Sequence, residues 1–299
     1  MLEPVSAGAR AERAPLEAGR AAEVAAAAQL ACLLEASAPK PGNVSPGAPF
    51  HDTRYEHFLA SAAAIAPAFL AAGERPLGTT IRAAVVATAR WTRANTNLGI
   101  VLLLAPLARA ALAEEGGTLR DRTARVLAAT TLFDAAETYA AIRLAAPGGL
   151  GRADAQDVGA SPTLPLRDVM ALAAERDAIA REYATTFATT FEVGAPALGR
   201  ARRDGLSWDD AVLETFLALL SHAPDTHIAR KLGGEAAAHV ARRAGEARDA
   251  GGVRTAAGRE AIVRLDRELR DARNAWNPGA TADLTAASIF VLLLDGGWS

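Results

Sequence analysis

At 299 residues, 51% of them hydrophobic, the chain is long enough to bury a sizeable core, and with 5% aromatics and abundant alanine its local preference leans to helix. A net charge of −2 supplies no basic face for neutralising a phosphate backbone, so no nucleic-acid partner is expected. The single cysteine, Cys32, excludes an internal disulfide and a thiolate-rich metal site.

Residues 1–18 mix Pro4, Gly8 and Pro15 with charges and show no period, which predicts a mobile arm. Helical spacing begins near Arg20 and runs to Ala36, where Pro39 and Pro41 stop it. The loop Lys40-Pro41-Gly42-Asn43 then holds a lysine between prolines beside a glycine. That pattern suits an anion, and it equally suits an ordinary helix stop with a solvated lysine. Asp52 or Thr53, the latter with Glu56 in a capping box, is expected to start a helix reaching about Ala72. Helices at about 77–93 and 97–115 follow, and between them Asn95-Thr96-Asn97-Leu98-Gly99 offers more polar groups than one cap needs. The surplus favours contact with a phosphate or a base edge. The apolar run Ile100 to Ala113 is interrupted by Pro106 and Arg109 and falls short of a membrane span. The N-terminus does not match a basic segment followed by an apolar one, so no membrane association and a cytoplasmic location are expected.

Further helices are predicted at about 118–145, 166–191 and 207–221. Asp157, in the loop between the first two, is a weak substrate-facing candidate, and Asp177 with Arg181 has the i, i+4 spacing of a salt-bridged solvent face. In His222-Ala223-Pro224-Asp225-Thr226-His227-Ile228-Ala229-Arg230-Lys231, Asp225 can cap a helix at about 226–249 whose first turns carry His227, Arg230 and Lys231. A carboxylate, an imidazole and two cations so close together suit magnesium triphosphate, although a capping aspartate with solvated cations explains them too. The i, i+5 spacing of His222 and His227 does not fit a helical zinc motif. After a helix at about 255–273, Trp276-Asn277-Pro278-Gly279 forms a turn, Thr281 can cap, and Asp283 sits in the first turn of a last helix at 280–294. An acid there stabilises any helix N-terminus as readily as it serves chemistry. Residues 19–299 therefore read as one all-α domain of about nine helices without internal repeats.

Taken in order, these segments resemble the triphosphoribosyl-dephospho-CoA synthase family. Its recurrent features are a Lys-Pro-Gly loop, a His/Asp-rich segment, Asn-Thr-His-Lys-Gly, Asp-Thr-Asn with a nearby Arg-Gly-Gly, and a terminal Asn-Pro-Gly-Gly-Ser-Ala-Asp-Leu. The counterparts are Lys40-Pro41-Gly42, His51-Asp52, Asn95-Thr96-Asn97-Leu98-Gly99, Asp225-Thr226-His227 with Arg230-Lys231, and Asn277-Pro278-Gly279-Ala280-Thr281-Ala282-Asp283-Leu284. The chain departs from the pattern where Asn97-Leu98 replaces His-Lys, where His227 replaces asparagine, and where Lys231 follows the arginine.

The resemblance implies transfer of the 5-triphosphoribosyl group of ATP to a ribose hydroxyl of dephospho-CoA or a related coenzyme precursor, with release of adenine. It implies Asp225 and Asp283 as general base or magnesium ligands, without separating the two roles. Lys40, Asn43, Asn95, Asn97, His227, Arg230, Lys231 and Asn277 are the implied nucleotide contacts. Magnesium is the expected cofactor, ATP and a dephospho-CoA-like acceptor the expected partners, and a homodimer stays open. Two other readings compete: a helical nucleotide-binding protein that kept the fold without the activity, and a ribosyl-phosphate transferase acting on a different coenzyme precursor.

Overall fold

The computed structural model describes residues 7–298, with side chains from Glu17 onward. Among these residues there is no strand, and fifteen α-helices replace the nine or so expected. In chain order, α1 is Ala7–Ser37, α2 Tyr55–Ala64, α3 Ala66–Leu70, α4 Leu77–Ala89, α5 Leu98–Leu112, α6 Leu119–Ala128 and α7 Leu132–Ala145. Then come α8 Leu166–Ala173, α9 Ala178–Thr185, α10 Ala195–Arg203, α11 Trp208–His222, α12 Thr226–Leu232, α13 Gly234–Asp249, α14 Ala256–Glu268 and α15 Gly279–Leu294. A π-helical turn, Thr190–Gly194, leads into α10.

Apart from α10, which lies between two expected helices where none is predicted, the extra helices come from breaks inside runs whose apolar period looks continuous. The stretch expected as one helix over 118–145 is divided by Thr131, which caps α7 in a reciprocal capping box with Asp134. The 166–191 stretch divides at Asp177, the cap of α9, and ends where Thr186 and Phe187 both adopt φ 56°. The 226–249 stretch divides at Gly233, φ 93°. At the start of α2 the cap position is Arg54, whose N–H is donated to His57 Nδ1, rather than Asp52 or Thr53. Of the expected arm, residues 1–6 lie outside the described residues, and α1 already begins at Ala7.

Helices α5 and α15 are apolar on nearly every face and lie side by side in the centre. One large apolar cluster surrounds them with α1, α4, α7 and α9, and a second gathers α11, α13 and α14. Both clusters draw residues from α11, through Leu219 and Phe216, and from α15, through Phe290 and Ala282.

Lys40 departs from its expected role as a phosphate cation. Its side chain is buried, with the ammonium 3.1 Å from Glu35 Oε1 and donating to the backbone carbonyls of Glu35 and Ala38. All three protons are used internally. Removing one member of a buried ion pair leaves the other charge uncompensated, so Lys40→Ala is expected to cost about 3–5 kcal/mol of stability. Urea unfolding measures the loss, and ATP affinity of the folded fraction is expected to stay unchanged.

Candidate active site

The first turns or caps of four helices line a cleft of about 590 Å³. Leu98 and Gly99 come from α5, Asp177, Ile179 and Ala180 from α9, His227 from α12, and Ala280 from α15, with Asp283 and Arg230 one turn further on. Aligned peptide dipoles at these N-termini favour negative charge beside them.

Asp225 holds two of these N-termini together. Its Oδ1 accepts the backbone N–H groups of His227 at 2.8 Å and Ile228 at 3.0 Å, at the start of α12. Its Oδ2 accepts the N–H and the hydroxyl of Thr281, both at 2.7 Å, from the start of α15. Thr281 is thus a donor to Asp225 and not the cap of the last helix, whose cap position is Pro278. Burial pushes the Asp225 carboxyl up, while the bonds from Thr281, Ile228 and His227 favour the charged form. With four bonds accepted, its lone-pair sites are filled. The expected capping of α12 by Asp225 is seen.

A third N-terminus is tied in through the neighbouring residues. Thr226 Oγ accepts the N–H of Ala178 at 3.1 Å, and Asp177 accepts from Ile179 and Ala180 while its Oδ2 meets Arg230 Nη1 at 2.6 Å. The i, i+4 pair of Asp177 with Arg181 does not form, because Arg181 donates to the carbonyls of Ala174 and Glu175 instead.

Asp283 faces the cleft without a hydrogen bond from any described residue. Its carboxylate lies against Gly99, where an added Cβ would overlap it, so α5 and α15 approach this closely only because residue 99 is glycine. Desolvation, followed by the charges of Glu35, Asp225 and Asp177, pushes its carboxyl well above the usual carboxylate range, against the opposing Arg230. His227 is pushed down to about 3 by burial and then by Lys231 and Arg230, which keeps the imidazole neutral. Three buried polar atoms in this neighbourhood have no partner: His227 Nε2, Arg230 Nε and Asn277 Oδ1. Such atoms are rare in native interiors and mark a place where a polar ligand can complete the bonding.

Of the expected residues, Asn95, His227, Arg230 and Asp283 line the cleft, as does the weaker candidate Asp157. Asn95 also accepts the N–H of Leu98 at 3.1 Å. Asn97 turns away into the interior and donates to Thr88 Oγ at 3.0 Å, and Asn43 bonds within its own loop through Pro41 O. Lys231 donates to the Asn274 carbonyl at 3.2 Å, and neither it nor Asn277, Lys40 or Asp225 forms part of the cleft wall. Sequence reading missed the cleft positions of Arg143, Arg176 and Tyr139, the Asp177 to Arg230 pair, and Glu35 as a buried charge acting on Asp283. No local pattern marks them, since each depends on which helices meet. Among the described residues no group of three or more His, Cys, Asp or Glu side chains gathers to hold a metal.

The profile of the family described as ATP:dephospho-CoA triphosphoribosyl transferase matches residues 21–299. The chain belongs to that family. A relative from Pseudomonas savastanoi pv. phaseolicola, named a probable 2-(5''-triphosphoribosyl)-3'-dephosphocoenzyme-A synthase, is 36% identical over 113 residues, 38% of each chain. A relative from Pseudomonas paraeruginosa with the same name is 38% identical over 109 residues, 36% of each chain. These matches therefore span well under half of the relatives' length. A solved structure from Archaeoglobus fulgidus, described as a proposed triphosphoribosyl-dephospho-CoA synthase, superposes with a TM-score of 0.60 at 30% identity, covering 80% of this chain and 99% of that one. The all-α architecture is shared with this family member.

The neutral imidazole gives the site a pH signature. Folding depresses the pKa of His227 from 6.5 to about 3, so between these values the unfolded chain binds the proton and the folded chain does not. The stabilising contribution is full above 6.5 and is lost as pH falls towards 3, at up to about 1.4 kcal/mol per pH unit. Denaturant unfolding of His227→Gln and the unsubstituted protein across this range is expected to show a shallower acid slope for the variant.

Proposed function

We propose that the chain transfers the triphosphoribosyl part of ATP to a ribose hydroxyl of dephospho-CoA or a closely related acceptor, releasing adenine. The observation that carries this reading is Asp283, a desolvated carboxylate without a hydrogen bond from any described residue, set where four helix N-termini favour an anion. A raised carboxyl pKa is what a general base for a hydroxyl requires. In the proposed step the acceptor hydroxyl gives its proton to Asp283 as its oxygen bonds to the anomeric carbon. The carbon–nitrogen bond to adenine breaks, its electron pair stays on the base, and the triphosphate remains on the transferred ribose. Arg230, fixed by Asp177, and the dipoles of the helix starts attract the phosphates, while Asn95 and the neutral His227 offer hydrogen bonds to sugar or base. Asp225, with its oxygens filled, acts by positioning α12 and α15 and not by taking the proton.

Magnesium fits as an ion carried by the triphosphate, because such an ion takes one or two carboxylates besides phosphate oxygens. Asp157, Asp177 and Asp283 are the carboxylates that line the cleft, the last two beside Arg230. When bound, the ion would neutralise phosphate charge.

Asp283→Asn preserves shape and is expected to leave thermal melting within a few degrees while lowering adenine release from ATP and dephospho-CoA by roughly a hundredfold. Added magnesium is expected not to restore it; recovery with magnesium would make Asp283 a metal ligand. In the unsubstituted enzyme the rising limb of activity against pH is expected above the usual carboxylate range, since the base works only once deprotonated. Absence of adenine release with every acceptor tried would leave the non-catalytic nucleotide-binding reading standing.

A further inference from the structure

Between α7 and α8 the chain runs over residues 146–165 without a helix. Connections longer than about 12–15 residues are uncommon in compact domains, and many of them are active-site lids. The later part of this one is pinned. Asp157 accepts the N–H groups of Ala153 and Gly159, both at 2.8 Å, while Tyr139 donates to the Gln156 carbonyl and Arg143 to that of Val158, which ties the same stretch to α7. The earlier part is not. No hydrogen bond joins residues 147–152 to any other described residue. They follow Ala146, which ends α7 at φ 44°, and they include Gly149 at φ 75° and Gly151 at φ 67°. Glycine at such positions changes backbone conformation at little steric cost.

This untied stretch lies on the cleft, where Pro147, Gly148, Leu150 and Gly151 form part of the lining. A Cβ added at Gly149 would stand 3.8 Å from Arg230 Cβ and 3.9 Å from Lys231 Cγ, so the stretch crosses from α7 onto the helix that carries Arg230. Leu150 lines the cleft yet is 45% exposed, which leaves aliphatic surface to be covered by further closure.

We propose that residues 147–152 are a flap that closes over the loaded cleft and keeps water from Asp283, so that the acceptor hydroxyl and not water attacks the nucleotide. The proposal rests on the reaction proposed above. A base that takes a proton from a ribose hydroxyl takes one from water as well. The water oxygen would then bond to the anomeric carbon, adenine would leave with the electron pair of its bond, and ribose 5-triphosphate would be released in place of the transferred group. Closure of a cover is the general means of suppressing such a side reaction. The N–H groups of Gly148 and Gly149, without a described partner, can donate to phosphate oxygens held by Arg230, and that contact is what would favour the closed position.

Proteolysis tests closure, and product analysis tests its purpose. Arg152 is exposed and is the one Lys or Arg of the flap. Tryptic cleavage after it, followed through the mass of the 1–152 fragment, is expected to slow roughly fivefold or more when ATP and dephospho-CoA are both saturating. The unsubstituted protein is expected to release adenine from ATP alone at least about tenfold more slowly than with dephospho-CoA. Leu150→Ser removes the apolar cover, and Gly149→Val strains the backbone at its positive φ. Both lie outside the helices and are expected to melt like the unsubstituted protein while the share of ribose 5-triphosphate among the products rises severalfold. Cleavage that saturating substrates leave unchanged would overturn the flap. So would an unchanged product share in both variants, or adenine release from ATP alone as fast as with the acceptor. Cleavage slowed by both nucleotides in a protein that releases no adenine would sustain closure and overturn the reaction.

Discussion

The buried carboxylate of Asp225 is the joint on which the polar half of the cleft depends. Helix α12 has seven residues, too few to be stable alone, and its N-terminus is closed by Asp225 Oδ1. The other oxygen binds Thr281 at the start of α15, so one side chain sets the spacing between the helix that carries His227 and Arg230 and the helix that carries Asp283. The adjacent Thr226 extends the joint to α9 by accepting the N–H of Ala178. A charge this deeply buried is tolerable because both oxygens are bonded and two helix dipoles point at them. The same completeness leaves Asp225 without a free lone-pair site.

The charge pattern around the joint is unusual for a site meant to hold phosphates, because its carboxylates outnumber its cations. Glu35, Asp225 and Asp177 all act on Asp283, and Lys40 is paired with Glu35. In the proposed reaction, attraction for a triphosphate rests on Arg230 and on the dipoles of four helix starts, and a magnesium ion carried with the triphosphate would add to it. Helix dipoles have one advantage over lysines in such a place. They are fixed before the ligand arrives and lose no side-chain entropy in binding it.

Local rules made part of this legible in the sequence. Asp225 reads as a cap from its place before a helix, and Asn95 and Asp283 stand out as polar residues at helix starts. The helix count was underestimated because Thr131 and Asp177 interrupt stretches whose apolar period continues across the break, and periodicity is blind to a cap in mid-run. Lys40 misled for a different reason. A lysine beside a glycine in a loop looks solvated, and only the fold back of the chain after Ser37 brings it onto Glu35. Arg143, Arg176 and the Asp177 to Arg230 pair were hidden because the partners are far apart in sequence: 53 residues separate the last two.

The departure at Asn97 and Leu98 acquires a physical sense from the same geometry. Asn97 spends its amide on Thr88 in the interior, and Leu98 presents an aliphatic side chain to the cleft, so the start of α5 brings no cation to the carboxylate packed against Gly99. A cation there would pull the Asp283 carboxyl down by direct attraction. Without it, the opposing charge at Asp283 comes from Arg230, which is itself paired with Asp177, and desolvation prevails. The substitution that weakens the likeness to the family thus leaves Asp283 more basic. The reaction proposed above calls for such a base, and the apolar Leu98 adds to the desolvation that keeps it so.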